Sequence, residues 1–170
     1  AVEEARSLAD EGWLVCLGAA GRTPETGYGY LQPGEALQGH GFRIDRFVEK
    51  PSAESAEAYV TNGGYAWNTG IFVFRAGRFL DELKRHRPAL AASVHAAISA
   101  GEAQGETFCP GEREFSAIRS ESVDYAVFEN TNRAAMIVKD MGWSDVGTWS
   151  AVHQVSPKDT HGNCVRGPVK

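Results

Sequence analysis

Apolar residues follow a helical spacing at the start of the chain and a strand-like pattern directly afterwards. Ala5, Leu8 and Ala9 fall on one helical face, which predicts an amino-terminal helix. The short apolar run over 13–17 predicts a buried strand. The segment 18–29 is rich in glycine and contains a proline, so the pattern predicts a loop there.

The next part of the chain predicts strands on either side of a capped helix. Alternation of apolar and polar residues over 28–32 and 42–49 is typical of half-buried strands. Ser52 is expected to cap a helix that stops at Asn62, where two glycines follow. The apolar run 71–74 is the most strand-like stretch of the chain and predicts a further buried strand.

Helical and strand patterns continue to alternate in the second half. Apolar spacing predicts helices over 79–83 and 90–98, whereas the polar segment 101–119 predicts a loop. The remaining predicted elements are a helix over 122–129, a strand over 135–138, a helix over 148–155 and a turn-rich stretch over 157–163. This order of elements predicts an α/β fold, with a mixed sheet flanked by helices.

Composition narrows the classes of partner. The 170 residues are 42% hydrophobic and carry a formal net charge of -5, which favours one globular unit without a basic nucleic-acid surface. No apolar run is long enough to cross a membrane, and no signal peptide precedes the chain, so a cytoplasmic location is expected. Cys16, Cys109 and Cys164 are odd in number and widely spaced, which favours free thiols over a disulfide framework or a zinc site.

Five short motifs stand in a fixed order, and each is a weak signal by itself. The motifs are Thr-Gly-Tyr-Gly-Tyr at 26–30, Phe-Val-Glu-Lys-Pro at 47–51, Trp-Asn-Thr-Gly at 67–70, Ser-Val-Asp-Tyr-Ala-Val at 122–127 and Trp-Ser-Asp-Val-Gly-Thr-Trp at 143–149. Together they resemble the sugar-nucleotide pyrophosphorylases, and they are most similar to the mannose-1-phosphate guanylyltransferases among them.

The resemblance implies a Rossmann-like nucleotidyltransferase sheet of the glycosyltransferase-A type. It also implies that mannose-1-phosphate and GTP give GDP-mannose and pyrophosphate with the help of Mg²⁺. In that chemistry the sugar phosphate attacks the α-phosphorus, so the site needs positioning and charge neutralisation rather than a protein nucleophile. Two alternatives stay open: a pyrophosphorylase that joins glucose-1-phosphate to dTTP or UTP, and a non-catalytic sugar-phosphate-binding module. The sequence does not fix the oligomeric state, and a homo-oligomer is compatible with it.

Two family features are missing from this sequence. Members of the family open with a glycine-rich G-G-x-G-T-R-L loop for the nucleotide phosphates and carry a second metal-binding aspartate upstream. We therefore expect the carboxy-terminal part of a larger catalytic domain, with 1–155 binding the sugar phosphate and 156–170 forming a linker. The isolated chain is expected to be inactive, because a half-site leaves its ligand partly solvated.

Asp145 and Asp124 are the two aspartates within the motifs. The local sequence of Asp145, taken alone, favours the cap of the helix that follows, whereas the resemblance implies that Asp145 is the metal ligand and a catalytic residue. Asp124 falls in the first turn of a predicted helix, where a negative charge is stabilising, so we interpret it as structural.

The remaining site residues come from the first three motifs. Taken alone, the local sequence favours a solvated pair at a strand end, whereas the resemblance implies a sugar-binding role for Glu49 and a phosphate-binding, catalytic role for Lys50. Both can reach one ligand only if Pro51 bends the chain out of the regular pleat. Further substrate contacts are implied for five residues, whose alternative roles are to start a strand or to cap a bend: Gly27, Tyr28, Gly29, Asn68 and Thr69.

Overall fold

The structure is a computed structural model that describes residues 1–37, 41–165 and 167. Contacts divide the chain into two compact units: the first runs from Ala1 to Lys139, and the second begins at Asp140. No helix of the described ranges combines the length and the apolar composition that crossing a bilayer requires.

Five strands of the first unit pair in a closed ring. Its order is β1–β4–β2–β3–β7 and back to β1; β1 and β7 are parallel, and the other neighbours are antiparallel. The predicted mixed α/β sheet with flanking helices is confirmed, whereas the closure into a ring was not predicted. The strands are β1 (Leu14–Ala20), β2 (Gly29–Ala36), β3 (Phe42–Glu49), β4 (Ala66–Val73), the hairpin β5 (Glu102–Gln104) and β6 (Thr107–Cys109), and β7 (Ala134–Val138).

Helices occupy the three longest connections between these strands, and one helix lies at each end of the series. Ser52 caps the second helix as predicted, because its Oγ accepts a hydrogen bond from the Ser55 backbone N–H over 3.2 Å. The helices are α1 (Val2–Asp10), α2 (Ala53–Asn62), α3 (Ala76–His86), α4 (Pro88–Ser99), α5 (Glu112–Ser116) and α6 (Trp149–Val155), with a single π-helical turn at Asp124–Phe128.

The core lies on both faces of the ring, which is why β1 and β7 are apolar without interruption. Leu14 and Cys16 of β1 pack into one cluster with residues of β2, β3, β4, α3 and the π-helical turn. Val15 and Leu17, which alternate with them, pack into a second cluster against α1. The predicted inner face of α1 is confirmed, since Ala5, Leu8 and Ala9 are all buried there.

Two strand boundaries differ from the predicted ones because of glycines. β1 continues to Ala20, so the loop predicted from Gly18 onward begins too early. Gly18 pairs with Asn68 and Val138, and a Cβ on it would lie only 3.2 Å from Ala66 Cβ. Glycine is needed there for close packing of strands, not for a turn.

A bulge in β4 accounts for another difference. The strand begins at Ala66 instead of at 71, because Gly70 interrupts it without ending it. Between the pairs Cys16–Phe72 and Gly18–Asn68, a single residue of β1 faces three residues of β4. Gly70 absorbs this excess at φ +71°, in the left-handed region that favours glycine.

Two later segments also differ from their predictions. The predicted loop over 101–119 contains the β5–β6 hairpin and the short α5. The predicted helix over 122–129 is the single π-helical turn, whose residues Ala126, Val127 and Phe128 are buried in the core.

The second unit contains α6 and a turn-rich stretch, as predicted. Asp159 organises that stretch, because its Oδ1 accepts hydrogen bonds from the backbone N–H groups of His161 and Asn163. These bonds lower the pKa of the Asp159 carboxyl. The assignment of 1–155 to sugar-phosphate binding and of 156–170 to a linker stays a prediction.

Candidate functional site

A cavity of about 870 Å³ opens in the first unit beside the end of β3. Glu49, the last residue of β3, and Lys50, which follows it, both line this cavity. Its wall holds three further carboxylates, those of Glu121, Asp124 and Glu129. The cavity therefore brings the predicted Glu–Lys pair together with acidic groups that the motifs alone did not assign to a site.

The Glu49 side chain points inward and is incompletely paired. It is only 12% exposed, and its Oε1 lies 3.7 Å from Lys50 Nζ, whereas its Oε2 is buried without a hydrogen-bond partner among the described residues. Burial raises the pKa of the Glu49 carboxyl, and the negative charge of Asp124 raises it further. The backbone N–H of Glu49 donates to Glu129 Oε1 over 2.9 Å, which fixes the end of β3.

Lys50 adopts a backbone conformation that is rare for its residue type. Its φ is +49°, in the left-handed region, and its backbone N–H donates to the Tyr28 carbonyl over 3.1 Å. This conformation, directly before Pro51, breaks the alternation of a regular strand and lets Glu49 and Lys50 line one cavity. The predicted departure from the pleat is confirmed, and strain of this kind gathers at functional sites.

Three basic residues line the cavity: Lys50, Arg87 and Arg119. Arg87 donates to Glu121 Oε1 over 2.8 Å and to the Tyr125 carbonyl over 3.1 Å, so these groups hold it. The Lys50 side chain is 62% exposed, and its ammonium lies near the Glu49 carboxylate. Its charge is therefore accessible to an anionic ligand.

Gly29 and Gly27 differ sharply in their surroundings. A Cβ on Gly29 would lie 2.5 Å from Glu49 Oε2 and 3.2 Å from Asn68 Nδ2, so glycine is required where these side chains meet. A Cβ on Gly27 would meet nothing within 4 Å among the described residues. Tyr28 between them packs edge-on against Trp67, with the ring centroids 5.3 Å apart. The predicted substrate contacts of all three residues of 27–29 stay predictions.

Asn68 is a buried polar residue whose amide orientation is fixed by its donors. Its Oδ1 accepts from Cys16 Sγ and from the Gly70 backbone N–H, each over 2.9 Å. A backbone N–H can only donate, so the oxygen must face Gly70 and the nitrogen must face the opposite way. There, Asn68 Nδ2 donates to Asp124 Oδ1 over 3.0 Å. The bend-capping role is thus present, and the predicted sugar contact stays a prediction.

The hydroxyl of Thr69 supports the bulge. Its Oγ1 donates to the Leu17 carbonyl over 2.7 Å and accepts from the Ile71 backbone N–H over 3.3 Å. These two bonds satisfy backbone groups where the β1–β4 ladder is interrupted. The predicted substrate role of Thr69 stays a prediction beside this structural one.

Asp124 lies in the cavity, where sequence reasoning did not place it. The π-helical turn places Asp124 on the cavity wall, where it accepts a hydrogen bond from the buried Asn68, while Ala126, Val127 and Phe128 of the turn are buried in the core. The interpretation of Asp124 as purely structural is incomplete, because a helix-terminus charge does not need to face a cavity. Its position within one of the five ordered motifs was the signal that could have indicated this.

In the second unit, Asp145 does not cap the helix that follows it. Thr148 is the cap of α6, because its Oγ1 accepts from the Ala151 backbone N–H over 3.1 Å. The capping alternative for Asp145 is therefore wrong. Val146 next to it has φ +51°, a strained conformation for a β-branched residue. A Cβ on Gly147 would lie 2.5 Å from Asp145 Oδ2, so glycine leaves one face of this carboxylate open.

The donor set for a metal ion is small. Across the described ranges, no group of three or more His, Cys, Asp or Glu side chains is arranged to hold a metal ion. Asp145 is exposed and could supply a single carboxylate oxygen. Magnesium usually takes one or two protein carboxylates and completes its shell with phosphate oxygens and waters, so an exposed, uncapped aspartate fits its needs.

Comparisons with known proteins identify similar sequences over nearly the whole chain. The profile of the nucleotidyl transferase family matches residues 1–162. A mannose-1-phosphate guanylyltransferase of Klebsiella pneumoniae is 45% identical over 98% of this chain, and one of Escherichia coli K12 is 44% identical over 99%. An alginate biosynthesis protein AlgA of Pseudomonas syringae is 41% identical over 95%. The chain spans about a third of the length of these relatives, 36%, 36% and 34% respectively.

Two solved structures share the fold. A mannose-6-phosphate isomerase from Helicobacter pylori superposes with a TM-score of 0.78 at 31% identity, over 85% of this chain and 56% of that protein. A protein from Thermus thermophilus named as a mannose-1-phosphate geranyltransferase gives a TM-score of 0.77 at 31% identity, over 94% of this chain and 45% of that protein.

Proposed function

This chain belongs to the nucleotidyl transferase family, and we propose that the intact protein joins mannose-1-phosphate to GTP, giving GDP-mannose and pyrophosphate. The relatives at 41–45% identity that are named mannose-1-phosphate guanylyltransferases support this proposal. The AlgA relatives, named for alginate biosynthesis, support a place in polysaccharide biosynthesis. Three free thiols, at Cys16, Cys109 and Cys164, support a reducing, cytoplasmic location.

The observation that carries the proposal is the pairing of a buried carboxylate with an accessible ammonium in one cavity. Glu49 offers a buried, unpaired acceptor oxygen, which suits a sugar hydroxyl, and Lys50 offers a positive charge, which suits a phosphate. A hexose phosphate carries both kinds of group. The left-handed backbone at Lys50 lets consecutive residues serve both ends of such a ligand.

In the proposed reaction, an oxygen of the sugar phosphate attacks the α-phosphorus of GTP. A new phosphorus–oxygen bond forms as the bond from the α-phosphorus to the oxygen bridging it to the β-phosphorus breaks, and pyrophosphate leaves. The attacking oxygen is already anionic, so no protein side chain has to remove a proton from it. The Lys50 ammonium offsets the charge of the phosphate, and Glu49 holds the sugar in place.

Magnesium is part of the proposal, with Asp145 as the residue that would hold it. The exposed carboxylate, the open face left by Gly147 and the capping of α6 by Thr148 all support this assignment. A bound Mg²⁺ would neutralise phosphate charge and orient the triphosphate. Substitution of Asp145 is therefore expected to affect metal-dependent turnover more than folding.

A matrix of substrates tests the proposal on the intact protein. Mannose-1-phosphate and glucose-1-phosphate are each assayed with GTP, dTTP and UTP, and we expect the highest kcat/KM for mannose-1-phosphate with GTP. Fastest turnover of glucose-1-phosphate with dTTP or UTP would establish the other pyrophosphorylase instead. Sugar-phosphate binding without turnover of any pair would establish the non-catalytic module.

A lysine variant links the assay to the cavity. Lys50→Ala removes the positive charge beside Glu49 and is expected to lower kcat/KM for mannose-1-phosphate by about ten- to a hundred-fold, as for loss of a charge-assisted contact. Lys84→Ala, which removes an exposed lysine from α3, is the matched control. Equal activity of the two variants would argue against a role of Lys50 in phosphate binding.

A further inference from the structure

The π-helical turn presents Asp124 to the cavity from a rigid base. Ala126, Val127 and Phe128 of the same turn are buried, and the Phe128 ring stacks on Phe72 with centroids 4.3 Å apart. Turns of this kind are rare and occur frequently at functional sites. Asp124 therefore has a fixed backbone while its side chain lines open space.

The carboxylate of Asp124 is held at one oxygen. Its Oδ1 accepts from Asn68 Nδ2, and the orientation of that amide is set by Cys16 and Gly70. Among the described residues, no donor reaches its Oδ2. One oxygen is thus fixed by the protein, and the other is left to a ligand in the cavity.

Glu49 presents a second, similar acceptor on the same wall. Its buried Oε2 has no hydrogen-bond partner within the described ranges. The position of a Cβ on Gly29 would be 2.5 Å from this oxygen and 3.2 Å from Asn68 Nδ2, so the Glu49 carboxylate and the Asn68 amide approach each other over Gly29. Glu49 and Asp124 consequently lie on one cavity wall, and the buried Asn68 amide lies next to both carboxylates.

Hydroxyl groups are the donors that suit this arrangement. Two acceptor-only groups, Glu49 and Asp124, line the cavity, and adjacent ring hydroxyls can donate one hydrogen bond to each. A metal ion suits it less well, since the described residues offer no group of three ligands there. An uncharged polyol supplies donors without adding to the negative charge of the wall.

We propose that Asp124 is a specificity-determining residue, whose free oxygen accepts a hydrogen bond from one ring hydroxyl of the hexose while Glu49 accepts one from a neighbouring hydroxyl. This inference rests on the proposed function, because it assigns the sugar half of that site. A site built to accept a hydroxyl rejects analogues that lack it, because the buried acceptor is then left unpaired. The carboxylate pair would thereby distinguish hexoses by the presence and direction of two hydroxyls.

The test uses the intact protein and its Asp124→Asn variant with mannose-1-phosphate and its monodeoxy analogues. Asparagine keeps the shape, and its amide oxygen can still accept the hydrogen bond from Asn68. An NH2 donor then replaces the acceptor oxygen that faces the ligand. We expect kcat/KM for mannose-1-phosphate to fall about ten- to a hundred-fold, as for loss of a hydrogen bond to a charged group. For the monodeoxy analogue that lacks the hydroxyl bound by Asp124, kcat/KM should be nearly equal in wild type and variant. KM for GTP should be unchanged.

The control is Asp45→Asn, which changes an exposed carboxylate paired with Arg43 on β3, outside the cavity wall. This variant should leave the ratio of kcat/KM for mannose-1-phosphate to kcat/KM for each deoxy analogue unchanged. The inference would be overturned if Asp124→Asn lowered kcat/KM equally for mannose-1-phosphate and every analogue, or lowered it for none of them. If wild type makes no GDP-mannose, the proposed function fails by itself. The role of Asp124 is then tested by calorimetry, which measures Kd for mannose-1-phosphate and its deoxy analogues. Equal Kd values for wild type and variant would overturn the inference.

Discussion

The thiol of Cys16 donates a hydrogen bond of 2.9 Å to Oδ1 of Asn68, and this buried contact joins β1 to β4 at the bulge. Burial raises the pKa of the Cys16 thiol well above its ordinary value, so the sulfur keeps its proton and remains a donor. The bond belongs to a chain that continues through the Asn68 amide to Asp124. A side chain with no exposure of its own thus helps to orient groups on the cavity wall.

Two substitutions of Cys16 separate its hydrogen bond from its packing. Cys16→Ala removes the donor, and we expect the free energy of unfolding to fall by about 1–3 kcal/mol, with a rise in KM for mannose-1-phosphate. Cys16→Ser keeps a donor, so KM should stay close to that of wild type even if stability falls. Denaturant unfolding and steady-state kinetics measure the two effects. Equal KM values for the Ala and Ser variants would show that the thiol does not orient Asn68.

Gly29 and Gly27 provide a matched pair of substitutions. Gly29→Ala places a methyl group against Glu49 Oε2 and Asn68, and we expect a loss of about 1–3 kcal/mol in stability together with loss of activity. Gly27→Ala meets open space and should change stability by less than about 0.5 kcal/mol. Thermal unfolding and turnover of both variants check this. A well-folded and fully active Gly29→Ala variant would contradict the close approach of the two side chains.

The sequence predicted most elements because their apolar patterns match their burial. The helix of Ala5, Leu8 and Ala9, the strand over 42–49 and the cap at Ser52 are all found as expected. Patterns of this kind are local, and each can be read from a few neighbouring residues. The closed order of the strands depends on contacts between distant segments, which no local pattern records.

The sequence predicted only the part of the candidate site whose residues are neighbours in the chain. Glu49 and Lys50 stand in one motif, so their common position at the end of a strand could be read directly. The link from Cys16 through Asn68 to Asp124 joins residues 52 and 56 positions apart, and it depends on a bulge and a π-helical turn. A single glycine, Gly70, marks the bulge, and the π-helical turn has no sequence pattern distinct from that of an ordinary helix.

The raised pKa of Glu49 predicts a pH-dependent difference in stability. The folded state binds the Glu49 proton more readily than the unfolded state does, so the contribution of this group to stability falls as pH rises through the raised pKa. Glu49→Gln removes this dependence. We expect the variant to have a higher Tm than wild type at neutral pH, and the difference to shrink at pH values below the ordinary pKa of a glutamate.

The comparison requires activity assays and a control. Glu57→Gln changes an exposed residue of α2 and should show no such divergence of Tm with pH. Activity on mannose-1-phosphate should fall in Glu49→Gln even where its Tm rises, because groups that bind ligands are often held at a cost to stability. Parallel Tm curves of Glu49→Gln and wild type across pH would contradict the unfavourable burial of this carboxylate.

Asp145 and Thr148 separate a ligand role from a capping role within one motif. Thr148→Ala removes the cap of α6, and we expect a loss of about 1 kcal/mol in stability with turnover per folded molecule largely retained. Asp145→Asn keeps the shape of the side chain but removes its charge. Because Asp145 does not cap α6, thermal unfolding should change little, whereas turnover should fall by about two orders of magnitude or more. In the intact protein, titration with Mg²⁺ should also show a higher concentration for half-maximal activity in Asp145→Asn than in Thr148→Ala. An Asp145→Asn variant that melts early but keeps normal turnover and an unchanged Mg²⁺ requirement would exclude Asp145 as the metal ligand.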